Sequence, residues 1–174
     1  MNDKKFNDLC ETLGETPASI LYLRFINSYA THVARLDSDA FEDPESPTTK
    51  DVESALEVYK DQATEPFPQD VNEQLVNVLR SMARAWEGTS ARLLRQAKGA
   101  PGDAGLGLVV QAMAIGVGRG ECGSGVIQFA SSDTGRPEIH GRYLRQSQGR
   151  ESLDRQLGSL YLSKDPRGPS LEET

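Results

Sequence analysis

The sequence predicts an α+β protein, with helices early in the chain and a small antiparallel sheet late. Three observations carry that expectation. Through residue 97 the apolar residues recur every three or four positions, the period of an amphipathic helix. Pro44, Pro47, Pro66, Pro68 and the Gly99-Ala-Pro101 run divide that region into separate segments. After Pro101 the helical period is gone, and short β-prone runs stand between glycine-rich or polar turns. Helices followed by strands are the pattern of helices packed on one face of an antiparallel sheet.

Residues 1–17 are polar and end at Pro17, which predicts a loose or short helical lead-in to a single domain over 18–162. From Ala18 the stripe Leu21, Phe25, Tyr29, Val33 and Leu36 predicts a helix. Residues 37–49, with their prolines and acids, read as a mobile loop. Residues 51–63 predict a shorter helix with Val52, Ala55, Leu56 and Tyr59 on one side. Glu65-Pro-Phe-Pro-Gln ends it. Asp70 then offers a carboxylate to the orphan amides of a new helix, with Glu73 as capping partner. That helix carries Val71, Leu75, Val78, Leu79, Met82 and Trp86 on one face, and Leu75, Leu79, Met82 and Trp86 are expected to be buried against the sheet. A further helix is expected over 90–97, then strands over 106–114, 125–130 and 138–145, then a flexible tail over 163–174.

At 174 residues the chain is long enough for a real core. Its net charge of −7 argues against a nucleic-acid partner, which calls for a clustered basic surface, but leaves room for a local anion site. Cys10 and Cys122 are too few and too far apart for a disulfide framework or a metal site. The first residues lack an apolar leader, and no run approaches the ~18 apolar residues of a membrane span. A soluble cytoplasmic protein with no membrane partner is the expectation.

Gly118-Arg-Gly120-Glu-Cys-Gly123 has the spelling of a dinucleotide fingerprint, but a β-run rather than a helix follows it, so no phosphate would meet a helix N-terminus. A turn that needs positive φ explains the glycines better. His32 and His140 stand apart from each other and from carboxylate pairs, and read alone as structural or surface histidines. Ser124, Ser131 and Ser132 have no nearby base. Arg136, Arg142, Arg145, Arg150 and Arg155 reverse the sign of an acidic chain over a segment whose acids are Glu138, Glu151 and Asp154. That is either a solvated basic surface or a site for an anion or an acidic partner, since guanidinium forks suit phosphate and carboxylate.

Several stretches taken together resemble the nucleotide-binding domain of pyruvate phosphate dikinase, the ATP-grasp part shared with phosphoenolpyruvate synthases. They are "LRFINSYATHVARLDSDAFE", "FPQDVNEQLVNVLRSMARAW", "GAPGDAGLGLVVQAMAIG" with Val110-Gln111-Ala112-Met113 as its best-matching part, "GSGVIQFASSDTG" and "GRYLRQSQG". Their order and spacing are similar to the second half of that domain over residues 20–152. The resemblance implies the C-terminal half of an ATP-grasp fold, a transferase or kinase ancestry and ATP as ligand. Nothing in residues 1–19 resembles the first half, with its phosphate-gripping lysine.

By the same resemblance, Gln111, His140, Arg142, Gln148, Arg150 and Glu151 are the candidates for holding a nucleotide or another anion. Gln148 keeps the family's residue, while Arg142 and Arg150 stand where the family has glutamates and Glu151 where it has an aspartate. Phe129-Ala-Ser-Ser132 replaces a Thr-Arg-Asn-Pro run. A unit charge pair about 4 Å apart at an effective dielectric near 20 is worth about 4 kcal/mol, and a dication beside Arg142 would face about twice that as repulsion. A guanidinium has donors only and cannot ligate the ion. Magnesium and a catalytic residue are therefore not expected, and the degenerate site implies a module that binds nucleotide or phosphate without transferring phosphoryl groups. Two alternatives stay open: a kinase half-domain completed in trans by another chain, and a protein-interaction module with no nucleotide role.

Overall fold

The computed structural model describes residues 1–44, 46–101, 103–149 and 160–161. They fall into two compact units, Met1–Gln111 and Ala112–Thr174, and the class is α+β as expected: helices in the first, an antiparallel sheet in the second.

The first unit begins with α1 (Asp3–Leu13), so the lead-in takes the helical of its two expected forms. Asn2 caps it by accepting Lys5 N–H at 3.0 Å, and Phe6 and Leu9, three apart, bury one face. Gly14, at φ 100°, ends this helix and opens α2 (Glu15–Tyr29). Ala18, Tyr22, Leu23 and Ile26 in α2 are almost wholly buried, so this helix is covered on more faces than the expected single stripe. A wider π-turn, Ala30–Ala34, follows, and Arg35 in the left-handed region closes it.

The loop after it is tied down at its end. Pro47 is fully buried. Thr48 and Asp51 form a reciprocal capping box for α3 (Thr49–Gln62), with Thr48 N–H donating to Asp51 Oδ2 at 2.7 Å. Glu15 Oε1 accepts both Thr49 N–H and Thr49 Oγ1–H, joining the starts of α2 and α3. Val52, Ala55 and Tyr59 turn the apolar side of α3 inward.

The core is aromatic, and Phe67 sits at its centre. Held between Pro66 and Pro68, which favour extended backbone, it places its ring 5.1–6.3 Å from the rings of Tyr22, Phe25, Tyr29 and Tyr59. Tyr22 hydroxyl donates to Asp3 Oδ1 at 2.6 Å and accepts from Gln69 Nε2, so its polar end is satisfied. Burial, then the Asp3 carboxylate, push that hydroxyl well above its ordinary value of 10.0.

Asp70 Oδ1 accepts Asn72 N–H at 2.7 Å and Glu73 N–H at 3.0 Å, capping α4 (Val71–Glu87) as expected. The buried residues of α4 differ from expectation. Gln74 and Ser81 are inside, whereas Leu75 and Met82 are exposed and Leu79 and Trp86 only half-buried. The helix uses polar residues inward because each finds a partner: Gln74 Nε2 donates to the Met1 and Pro68 carbonyls, and Ser81 Oγ to the His32 carbonyl. Trp86 meets α5 (Thr89–Ala97), where the Arg95 guanidinium lies 3.8 Å from its ring centroid and donates to its carbonyl at 2.6 Å.

In the second unit β1 (Gly123–Ala130) pairs antiparallel with β2 (Pro137–Arg145), and β2 with the short β3 (Leu160–Tyr161). The expected strand over 106–114 does not form: residues 104–116 have no regular secondary structure. A β-prone run becomes a strand only through cross-strand hydrogen bonds, and none of the described backbone supplies them there. Gly118 and Gly120 take the positive φ expected of them, 138° and 82°, but the turn they form leads into β1 without the expected strand before it.

Candidate functional site

Antiparallel pairing sets the two faces of the β1–β2 hairpin. His140 lies opposite Gln128, Arg142 opposite Val126 and Leu144 opposite Ser124, so these six share one face. His140 Nε2 meets Gln128 Oε1, which makes that nitrogen the donor and leaves Nδ1 the acceptor in the neutral ring. Nδ1 is buried without a hydrogen-bond partner among the described residues. Arg142 is half-buried beside it. The strand's own carboxylate, Glu138, is exposed at the far end, next to the irregularity between Gln128 and Ala130. Among the described residues this face brings together a guanidinium and an imidazole, groups suited to an anion.

The other face is a glycine lane under one aromatic ring. A Cβ on Gly123 would strike the Tyr143 ring, and one on Gly125 would come within 2.7 Å of the Arg142 carbonyl oxygen. Tyr143 fills the space the glycines leave and donates its hydroxyl to the Cys122 carbonyl at 3.0 Å. Gly141, buried on β2, allows the two backbones their close approach.

Beyond β2, Gln146-Ser-Gln148 ties the approach to β1 onto the end of the hairpin. Gln146, left-handed at φ 48°, accepts Gly118 N–H at 3.0 Å and donates to the Gly120 carbonyl at 3.1 Å. Gln148 Oε1 accepts Gly116 N–H at 2.6 Å, while Nε2 donates to the Ala114 carbonyl at 2.9 Å. Both carboxamides thus stand in for a neighbouring strand. Ser147, 1% exposed, donates to the Leu144 carbonyl at 2.7 Å and accepts Ser124 N–H at 3.1 Å. With its proton used there, Ser124 is the donor in the 2.6 Å hydroxyl pair they share. Gln146 and Ser147 were not foreseen in this part; the signal for them was a polar run between a strand and a glycine with positive φ, Gly149 at 66°.

His140 and Arg142, two of the six candidates, therefore share a strand face, and Gln148 lies just past the end of that strand. Gln111 is exposed, outside regular secondary structure, and belongs to the first unit. Arg150 and Glu151 lie outside the described residues. Of the other arginines, Arg145 Nε pairs with Glu121 Oε2 at 3.6 Å on an exposed surface, an arrangement of little energetic weight. Among the described residues no three of His, Cys, Asp or Glu come together as a metal site. Nor is any described helix long and apolar enough to cross a membrane.

No family model matches the chain. It is nevertheless similar to pyruvate phosphate dikinases. The protein of Clostridium symbiosum is 34% identical over 95 residues, 54% of this chain and 11% of that protein. That of Rhizobium meliloti (strain 1021) is 27% identical over 169 residues, 87% of this chain and 19% of that protein. Pyruvate, phosphate dikinase 2 of Zea mays is 30% identical over 94 residues, again 54% of this chain. The chain thus spans between 11% and 19% of the length of these curated relatives.

Proposed function

We propose that the chain is a pyruvate phosphate dikinase-like nucleotide-binding module that works by binding and not by phosphoryl transfer of its own. The observation that carries this reading is the setting of Arg142. It sits half-buried on the same face as His140 and Gln128, where the resembling family has a carboxylate. Phosphoryl-transfer catalysis consists mainly of placing metal ions and cationic groups around the transferred phosphate. A fixed cation at the metal's side of such a site opposes the dication and attracts the phosphates directly. The preferred ligand is then a metal-free anion, either a free nucleotide or inorganic phosphate, held weakly.

Calorimetry with ATP, with ATP plus magnesium, and with phosphate tests this reading. The wild-type chain should bind free ATP or phosphate and lose affinity when magnesium is added. Arg142→Glu should reverse that order. Wild-type protein that prefers magnesium-ATP, with Arg142→Glu no better, would remove the basis of the proposal.

A further inference from the structure

Where α4 meets α5, the first unit carries an open cleft of about 480 Å³, a size that admits a small molecule. Trp86, the single tryptophan of the chain, forms its wall and is fixed there by three contacts. The Arg95 guanidinium lies on one face of the ring and donates to the Trp86 carbonyl, and the indole Nε1–H donates to the Ala104 carbonyl at 3.3 Å. Leu106 adds a second apolar surface, and Glu87, Arg92 and Asp103 bring charges of both signs to the same cleft. Opposite charges on one rim gain by pairing with each other. Among the described residues, however, none of these three side chains takes part in an ion pair or a hydrogen bond.

We propose that this cleft binds a small zwitterion, a free α-amino acid with an aliphatic side chain such as leucine. Charge selects that class. The lining holds two arginines and two acids, so a simple anion would be repelled by Glu87 and Asp103, and a simple cation by Arg92 and Arg95. A ligand with an ammonium and a carboxylate on one carbon answers both sets. Arg95 is committed to Trp86, which leaves the Arg92 fork for the carboxylate, while Glu87 and Asp103 accept from the ammonium. One face of the indole is already taken by Arg95, so an aliphatic side chain against Trp86 and Leu106 suits the wall better than a stacked ring. Glu87, Arg92 and Asp103 are exposed, and solvent screens them, so binding is weak, with a dissociation constant on the order of 1 mM. Every residue of the cleft belongs to the first unit, which makes this inference independent of the anion reading.

Because Trp86 is the single tryptophan, indole fluorescence of the full chain reads the cleft directly. Titration with leucine should change the emission saturably. N-acetyl-leucine, which lacks the ammonium, and leucinamide, which lacks the carboxylate, should each bind about ten-fold more weakly. Arg92→Gln should weaken leucine by a similar factor and leave leucinamide unchanged. Glu87→Gln combined with Asp103→Asn should weaken leucine and leave N-acetyl-leucine unchanged. That crossed pattern cannot come from a folding defect, and both variants should keep the wild-type melting temperature, since they break no contact among the described residues. Emission that does not respond to leucine would overturn the proposal. So would N-acetyl-leucine or leucinamide binding as tightly as leucine, or variants that bind leucine like wild type.

Discussion

Gln148 holds Gly116 by its backbone: Oε1 takes the glycine N–H at 2.6 Å while the same carboxamide donates to the Ala114 carbonyl at 2.9 Å. Gly116 is buried, and a Cβ there would strike the Ser147 carbonyl oxygen, so the contact depends on both residues. Gln148→Leu leaves a buried N–H without its acceptor, which costs about 1–3 kcal/mol. Amide exchange at Gly116 should accelerate accordingly. Gln148→Glu keeps the acceptor and loses the donor, so it should fall between wild type and Gln148→Leu in the same exchange measurement.

Phe67 and Trp86 should exchange the ranks their sizes suggest. Phe67 is 5% exposed and touches four aromatic rings, so Phe67→Ala should cost about 3–5 kcal/mol. Trp86 is half-buried against one guanidinium, and Trp86→Ala should cost only about 1–2 kcal/mol. Urea titration of the two variants gives the comparison. A larger loss at Trp86 would show that the aromatic cluster around Phe67 is not the centre of stability.

Acid should loosen the start of α3. Hydrogen bonds from the Thr49 backbone and then its side chain hold Glu15 below its ordinary 4.5; those from the Thr48 side chain and then its backbone hold Asp51 below its ordinary 3.8. Folded-state values that are lowered mean that the unfolded chain binds protons first. The contribution is therefore complete above the ordinary values and is lost as pH falls through the folded ones. Melting temperature should drop with pH below about 4.5, and Glu15→Gln combined with Asp51→Asn should make that slope shallower. An unchanged slope in the double variant would place the acid sensitivity elsewhere.

Gly141→Ala should separate the strands. An added Cβ would strike the Val126 carbonyl oxygen and stand 3.1 Å from Ile127 Cα, both backbone atoms that cannot swing aside. Cross-strand NMR contacts between Val126 and Arg142 should vanish while helical signals from residues 3–97 persist. Gly135→Ala is the control: nothing lies within 4 Å of its Cβ, and its φ of 68° costs roughly 1–2 kcal/mol without touching the pairing.

The sequence by itself determined the features that depend on near neighbours. The Asp70 cap, the helices over 49–62 and 71–87, the Gly118 and Gly120 turn and the β1–β2 hairpin follow from local hydrogen bonds and steric limits, which a few adjacent residues specify. It also placed His140 and Arg142 on one face, because strand alternation has a period of two. Only the tertiary structure decided what those elements meet. The stripe Leu75, Leu79, Met82 and Trp86 is as amphipathic as any in the chain, yet α4 turns Gln74 and Ser81 inward, since their partners Met1, His32 and Pro68 come mostly from far along the chain. Residues 106–114 are as β-prone as 123–130, but β2 takes Leu160–Tyr161 as its second neighbour. Gln148 satisfies a glycine amide 32 residues away. A strand edge, a buried carboxamide and an apolar stripe each need a partner, and nothing in the segment that carries them says where in space that partner will be.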